Sequence, residues 1–119
     1  MQEIERVAAI LKPSETMLEW INAQAEDNER VTLEDIQTDC TVILLPTFEE
    51  EEDAEDYLNE IYDELFVNEL AAWNEDESAW PEDRSLDIFL EWFDIEFHSV
   101  VYDCTQIPHI TRQETETLQ

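Results

Sequence analysis

The chain contains no glycine in its 119 residues, where an average composition of about 7% would supply roughly eight. Glycine is the residue that takes φ > 0 without strain and lets a backbone approach a ligand closely. Its absence confines every turn to conformations open to any residue. It also removes the phosphate-cradling loop, the dinucleotide-binding fingerprint and the nucleophile elbow, which are all built on glycine. The enzyme classes that depend on those platforms are not expected here.

Charge is the second constraint. Asp and Glu number 33 against 5 Lys and Arg, a formal charge of −28, whereas small soluble domains usually carry a magnitude of about 2 to 8. Nucleic acid and anionic lipid are bound through Lys and Arg, so a surface of this sign repels both. Neither direct nucleic-acid binding nor membrane binding is expected. Strong acidity can also accompany disorder, but 43% apolar content, with four Trp, five Phe and three Tyr, is enough to build a packed core. This length fits one compact domain. No apolar run approaches the roughly 18 residues of a membrane span, and MQEIERVAAILKP is too charged and too briefly apolar for a signal peptide. The expected location is the cytoplasm. Cys40 and Cys104 lack a CxxC spacing, so reduced thiols are expected in place of a zinc or disulfide framework.

Along the chain, Glu5 to Lys12 reads as a buried strand bounded by Pro13. Ser14 caps a short helix that carries Met17, Leu18 and Ile21 to about Gln24. The polar stretch that follows holds at most one helical turn, from Thr32. Cys40 to Leu45, CTVILL, is apolar without alternation, the pattern of a strand buried on both faces, and is expected at the centre of the sheet. Thr47 with Glu50 predicts a capping box for a long helix whose stripe includes Leu58, Ile61, Leu65, Phe66, Leu70 and Trp73. Beyond Trp80-Pro81, a helix starts near Ser85 and gives way near Phe93 to the strict alternation of a strand. No internal repeat is visible.

The predicted fold is an α+β, two-layer domain over residues 1–104, in the order β-α-β-α-α-β. Its small, mixed three-stranded sheet is covered by helices, and residues 105–119 form a partly ordered or flexible tail. Right-handed crossover geometry would make the first two strands parallel. The third should run antiparallel to the second; if those two strands are neighbours, Cys40 lies near Cys104, and a Cα separation well above about 7 Å would rule out a bridge and weaken the pairing.

Asp94, Glu96 and His98 occupy alternate positions and so project from one face of the last strand. Two carboxylates and an imidazole can bind a divalent metal or pair as acid and base. An ordinary polar strand face is the plainer reading. Arg84, among so many carboxylates, suits a structural clamp to Glu91, Glu96 or Asp103, or the binding of an anionic substrate; Lys12 suits either solvent or the mouth of a pocket. The run Glu49 to Asp56, EEEEDAED, lacks the alternating ligands and the glycine of a calcium loop. The helix dipole favours only its first members, and the rest suggest docking to a basic surface or nucleic-acid mimicry. Most of the tryptophans fit a core, with Trp80 a candidate exposed anchor for a partner.

The succession of KP and LEWIN, then VILLP, the acidic helix, AAWNEDESAWPEDR and EWFDIEFHSVVYD resembles a group of small acidic bacterial proteins of unknown function. The similarity runs from about Val7 to Asp103. It implies a cytoplasmic bacterial protein and no activity. The residues themselves lead to an acidic, non-enzymatic interaction or regulatory protein whose negative surface meets a basic protein partner. The alternative is a small metal-dependent or acid–base enzyme using Glu96 and His98 on an anionic substrate held by Arg84 or Lys12. Oligomeric state is left open.

Overall fold

A computed structural model describes residues 1–106, so the expected tail lies almost wholly outside the described residues. The fold is α+β: four helices and a three-stranded sheet, to which a short two-stranded ribbon is joined. Strand β1 spans Gln2–Ile4, β2 Arg6–Pro13, β3 Thr41–Pro46, β4 Phe93–His98 and β5 Val101–Asp103; the helices are α1 Glu15–Gln24, α2 Leu33–Gln37, α3 Glu51–Trp73 and α4 Leu86–Trp92. Among the described residues none has a positive φ, as a chain without glycine requires.

The sheet order is β3-β2-β4, and both outer strands run antiparallel to β2. This corrects two expectations: the sheet is antiparallel throughout, not mixed, and its centre is β2, not the CTVILL strand. The cause lies between β2 and β3. One helix between two strands would give a parallel crossover, but α1 is followed by α2, which returns the chain to the end of the sheet it had left. There Gln37 Nε2 donates to the Pro13 carbonyl at 2.9 Å. β3 and β4 therefore flank β2 on opposite sides. Thr41 sits opposite Leu11 in the sheet and Asp103 opposite Gln2 in the ribbon, so Cys40 and Cys104 adjoin different strand pairs and not the ends of two neighbouring strands. Both are free thiols.

Local chemistry sets the element ends. Ser14 is the N-cap of α1 as expected, but its hydroxyl donates to the Glu91 carbonyl at 2.8 Å and its amide to that of Trp92, also at 2.8 Å. The start of α1 is thus tied to the end of α4. Thr32 and Asp35 form a reciprocal capping box on α2. The box expected at Thr47 does not form, because α3 begins only at Glu51 and its N-cap Glu50 makes no side-chain capping bond. Ser85 caps α4, its hydroxyl accepting from the Ile88 amide. The change of period falls at Phe93, as predicted.

The helices pack on one side of the sheet. Along β2 the buried residues are Val7, Ala9, Leu11 and Pro13, alternating with less buried ones. Leu11 and Phe93 join Met17, Phe66, Leu70 and Phe89 in the core, each less than 2% exposed. The sheet was expected to be covered by helices, but its other side is the less buried one among the described residues, and that side positions the residues with chemical interest.

Candidate functional site

β2 sends Arg6, Ala8, Ile10 and Lys12 to the face away from the helices, since strand side chains alternate. Register then fixes their neighbours. Ala8 stands between Leu44 and His98, Ile10 between Val42 and Glu96, and Lys12 beside Asp94. Asp94, Glu96 and His98 therefore share one face, as their spacing predicted, and Lys12 from the adjacent strand joins them. Lys12 Nζ lies 3.5 Å from Glu96 Oε2, and His98 Nε2 lies 4.0 Å from Glu96 Oε1. These side chains keep 37% (Lys12), 47% (Glu96) and 55% (His98) of their surface, so the pairs are worth little in stability. Among the described residues, no three His, Cys, Asp or Glu are arranged to hold a metal ion.

The rest of this face is apolar. Val42 is 55% exposed and Leu44 54%, on an edge strand whose open side no described residue buries. This corrects the reading of CTVILL as buried on both faces: of its apolar residues only Leu45 is fully buried. Beyond β2 and β4 the strands continue as the β1-β5 ribbon, where Glu5, Arg6 and Val7 on one side face Ser99 and Val100 on the other. That extra residue is a bulge, which breaks the ladder. In the ribbon Val100 and Tyr102 are exposed, whereas Ile4 and Val101 are half-buried.

The other candidates lie elsewhere. Trp80 is 9% exposed, its indole N–H donating to the Asn74 carbonyl at 2.7 Å. It belongs to the core, not to an exposed anchor. Arg84 donates to the Pro81 carbonyl at 2.7 Å, and its guanidinium lies 5.7 Å from the Trp80 ring centroid. It makes no ion pair with a described carboxylate, so the clamp is to a carbonyl and an indole face and not to Glu91, Glu96 or Asp103. None of five cavities on the described surface is lined by Arg84, Glu96 or His98. The sequence residues with chemical promise do not converge.

Two features had no signal in the sequence. A cavity of about 280 Å³ between the end of β2, α2 and α3 is lined in part by Met17, Ile36, Cys40, Glu69 and Trp73. Burial pushes the Cys40 thiol above its usual range, against the opposing effect of Lys12. The second is a cleft of about 200 Å³ where Phe48 meets Phe97 edge-on, 5.6 Å between ring centres. Both depend on pairings between segments distant in the chain.

The carboxylates show the plainest pattern. No polar or charged side chain is buried among the described residues, and no member of the 49–56 run has a cationic partner there. Asp76 and Asp103 titrate below the usual carboxylate range because the hydroxyls of Ser78 and Thr105, respectively, and then their amides, donate to them. Compared with models of protein families, with curated proteins and with solved structures, the chain matches none. No helix among the described residues is long and apolar enough to cross a membrane.

Proposed function

We propose that this is a cytoplasmic, non-enzymatic interaction or regulatory protein whose acidic surface docks a basic protein partner. The exposed, unpaired run at 49–56 carries the reading. Carboxylates that neither serve the core nor pair with cations cost stability through mutual repulsion, and docking to cationic groups relieves that repulsion. Such a field speeds encounter with a basic surface and disfavours nucleic acid and anionic membranes. A nucleic-acid-binding protein is one class of basic partner that fits.

The test is capture of partners from the cytosol of the source cell on immobilised protein, followed by a salt gradient. Basic proteins should elute between about 0.1 and 0.5 M salt, as screening shortens the reach of the field. They should be missing from a variant in which Glu49, Glu50, Glu51 and Glu52 are changed to Gln. A retained set with no basic member, or one indifferent to those four changes, would refute the reading.

The enzymatic alternative rests on the Lys12–Glu96–His98 contact chain. A catalytic site is ordinarily concave and shields its groups from water, and support for this alternative is weaker because these three sit on an open strand face. Calorimetric titration with Zn²⁺ decides it: binding that is lost in His98→Ala would favour the enzyme.

A further inference from the structure

We propose that the cleft between Phe48 and Phe97 seats one large apolar side chain from a basic partner segment, whose flanking Lys or Arg residues pair with Glu51 and Glu55. The inference rests on the acidic-docking reading and names the part of the partner that the acidic run meets.

The cleft is an unfinished end of the core. Phe97 stands opposite Ala9, which is fully buried, and so belongs to the side of the sheet that carries the helices. Phe93, at the other end of the same strand and on the same side, packs against Phe66 and Phe89 and is 1% exposed. Phe97 is 40% exposed, and its ring partner among the described residues is Phe48, edge-on. An aromatic side chain on the inner face of a sheet with so much surface left in water marks a place where a further apolar group can be buried. Ala54 and Leu58, both 5% exposed, line the same cleft. An apolar cavity of about 150 Å³ holds a benzene molecule, so this one, of about 200 Å³, has room for a single leucine side chain.

Charge selects the occupant. Glu51, Ala54, Glu55 and Leu58 are spaced i, i+3, i+4 and i+7, so one face of α3 sets two carboxylates beside the apolar pair. Like charges at i and i+4 repel on a helix, and no cation pairs with either among the described residues. Phe48 also borders a hollow lined by Glu49, Glu50 and Asp53, so carboxylates edge both hollows that its ring adjoins. A second copy of this chain, at −28, brings the wrong sign, and a neutral apolar ligand leaves the carboxylates unrelieved. A segment with one apolar residue between lysines or arginines satisfies both. Charge then governs the rate of encounter, and the seated side chain the strength and register of the bound state.

Fluorescence anisotropy with two dye-labelled peptides tests it: a short chain of lysines and arginines around a single central leucine, and a twin with serine at its centre. Both should bind the purified protein at about 0.05 M NaCl and weaken as salt is added. The leucine peptide should bind more tightly by about tenfold or more, the effect of one buried large apolar side chain. That ratio should persist at about 0.3 M NaCl, where the charge contribution has shrunk. Phe97→Ser should bring the peptides to equal affinity, and Phe48→Ser, on a separate segment, should do the same; far-UV circular dichroism confirms that both variants are folded. Glu51→Gln combined with Glu55→Gln should weaken both peptides alike. Equal affinity of the twins for the unaltered chain, whether a second copy or residues 107–119 fill the cleft or nothing enters it, would overturn the inference and leave acidic docking standing. A preference for leucine that survives both phenylalanine changes, or binding indifferent to the glutamine pair, would also overturn it. Salt-sensitive binding of neither peptide would refute the docking reading, and the inference with it.

Discussion

Phe66 meets three other rings, with centroids 5.5 Å away at Phe89 and Trp92 and 6.0 Å away at Phe93. It joins α3 to α4 and to the first residue of β4, and none of its surface is exposed. Phe66→Ala removes those contacts and leaves a cavity that its neighbours can only partly refill, at a cost of about 3 to 5 kcal/mol. Small domains are stable by only about 5 to 15 kcal/mol, so urea denaturation should show a large drop in midpoint; a loss below about 1 kcal/mol would place the core elsewhere. Cys40 makes a different prediction. Its thiol is held above the ordinary range by burial, with Lys12 opposing, so the folded chain keeps this proton to higher pH than the unfolded one. The stability from this difference is present below the unfolded thiol pKa and is lost as pH rises through the folded value. In a Cys104→Ser variant, the alkylation rate of the remaining thiol should rise with a midpoint above that of a free cysteine measured alongside; a midpoint at or below it would contradict the burial.

At the scale of elements, two helix starts offer a matched pair of tests. Thr32 and Asp35 close a full box on α2, so Thr32→Ala should cost about 1 kcal/mol. The start of α3 has no side-chain cap at Glu50, so Glu50→Ser should add a few tenths to about 1 kcal/mol. Thermal unfolding of both variants checks the signs, and a destabilised Glu50→Ser would show that the start is capped in some other way. These ends also show what could be read from sequence. The strands of the three-stranded sheet, three of the helices and the change of period at Phe93 follow from hydrophobic spacing, which is local. Pairing is not local: the apolar run CTVILL suits a central strand, yet α2 turns the chain back and places it at an edge. The same limit governs the site. Alternation put Asp94, Glu96 and His98 on one face, but Lys12 reaches Glu96 only through the β2-β4 register, which no single stretch specifies. Trp80 reads as a possible surface anchor because nothing nearby reveals that Arg84 and the Asn74 carbonyl enclose it. β1 escaped notice for the same reason, being a strand only because β5 pairs with it.

For the whole molecule, charge and fold oppose each other. Lys and Arg form only two ion pairs among the described residues, Lys12–Glu96 and Arg30–Asp27, against a formal −28. Most of the carboxylates therefore repel one another across a small surface. The screening length falls from about 30 Å at 0.01 M salt to roughly 10 Å at 0.1 M, and the unfolded chain, being more expanded, gains less from that change. The melting temperature should therefore climb between about 0.01 and 0.5 M NaCl by several degrees, since about 1 kcal/mol corresponds to roughly 4 to 8 °C in a domain of this size. The change of Glu49, Glu50, Glu51 and Glu52 to Gln should raise the low-salt melting temperature and flatten its salt dependence. Melting curves of both chains across that salt range check this. A salt response that shrinks in the glutamine variant assigns it to the acidic run. No response at all would mean that the repulsion is as strong in the unfolded chain as in the folded one.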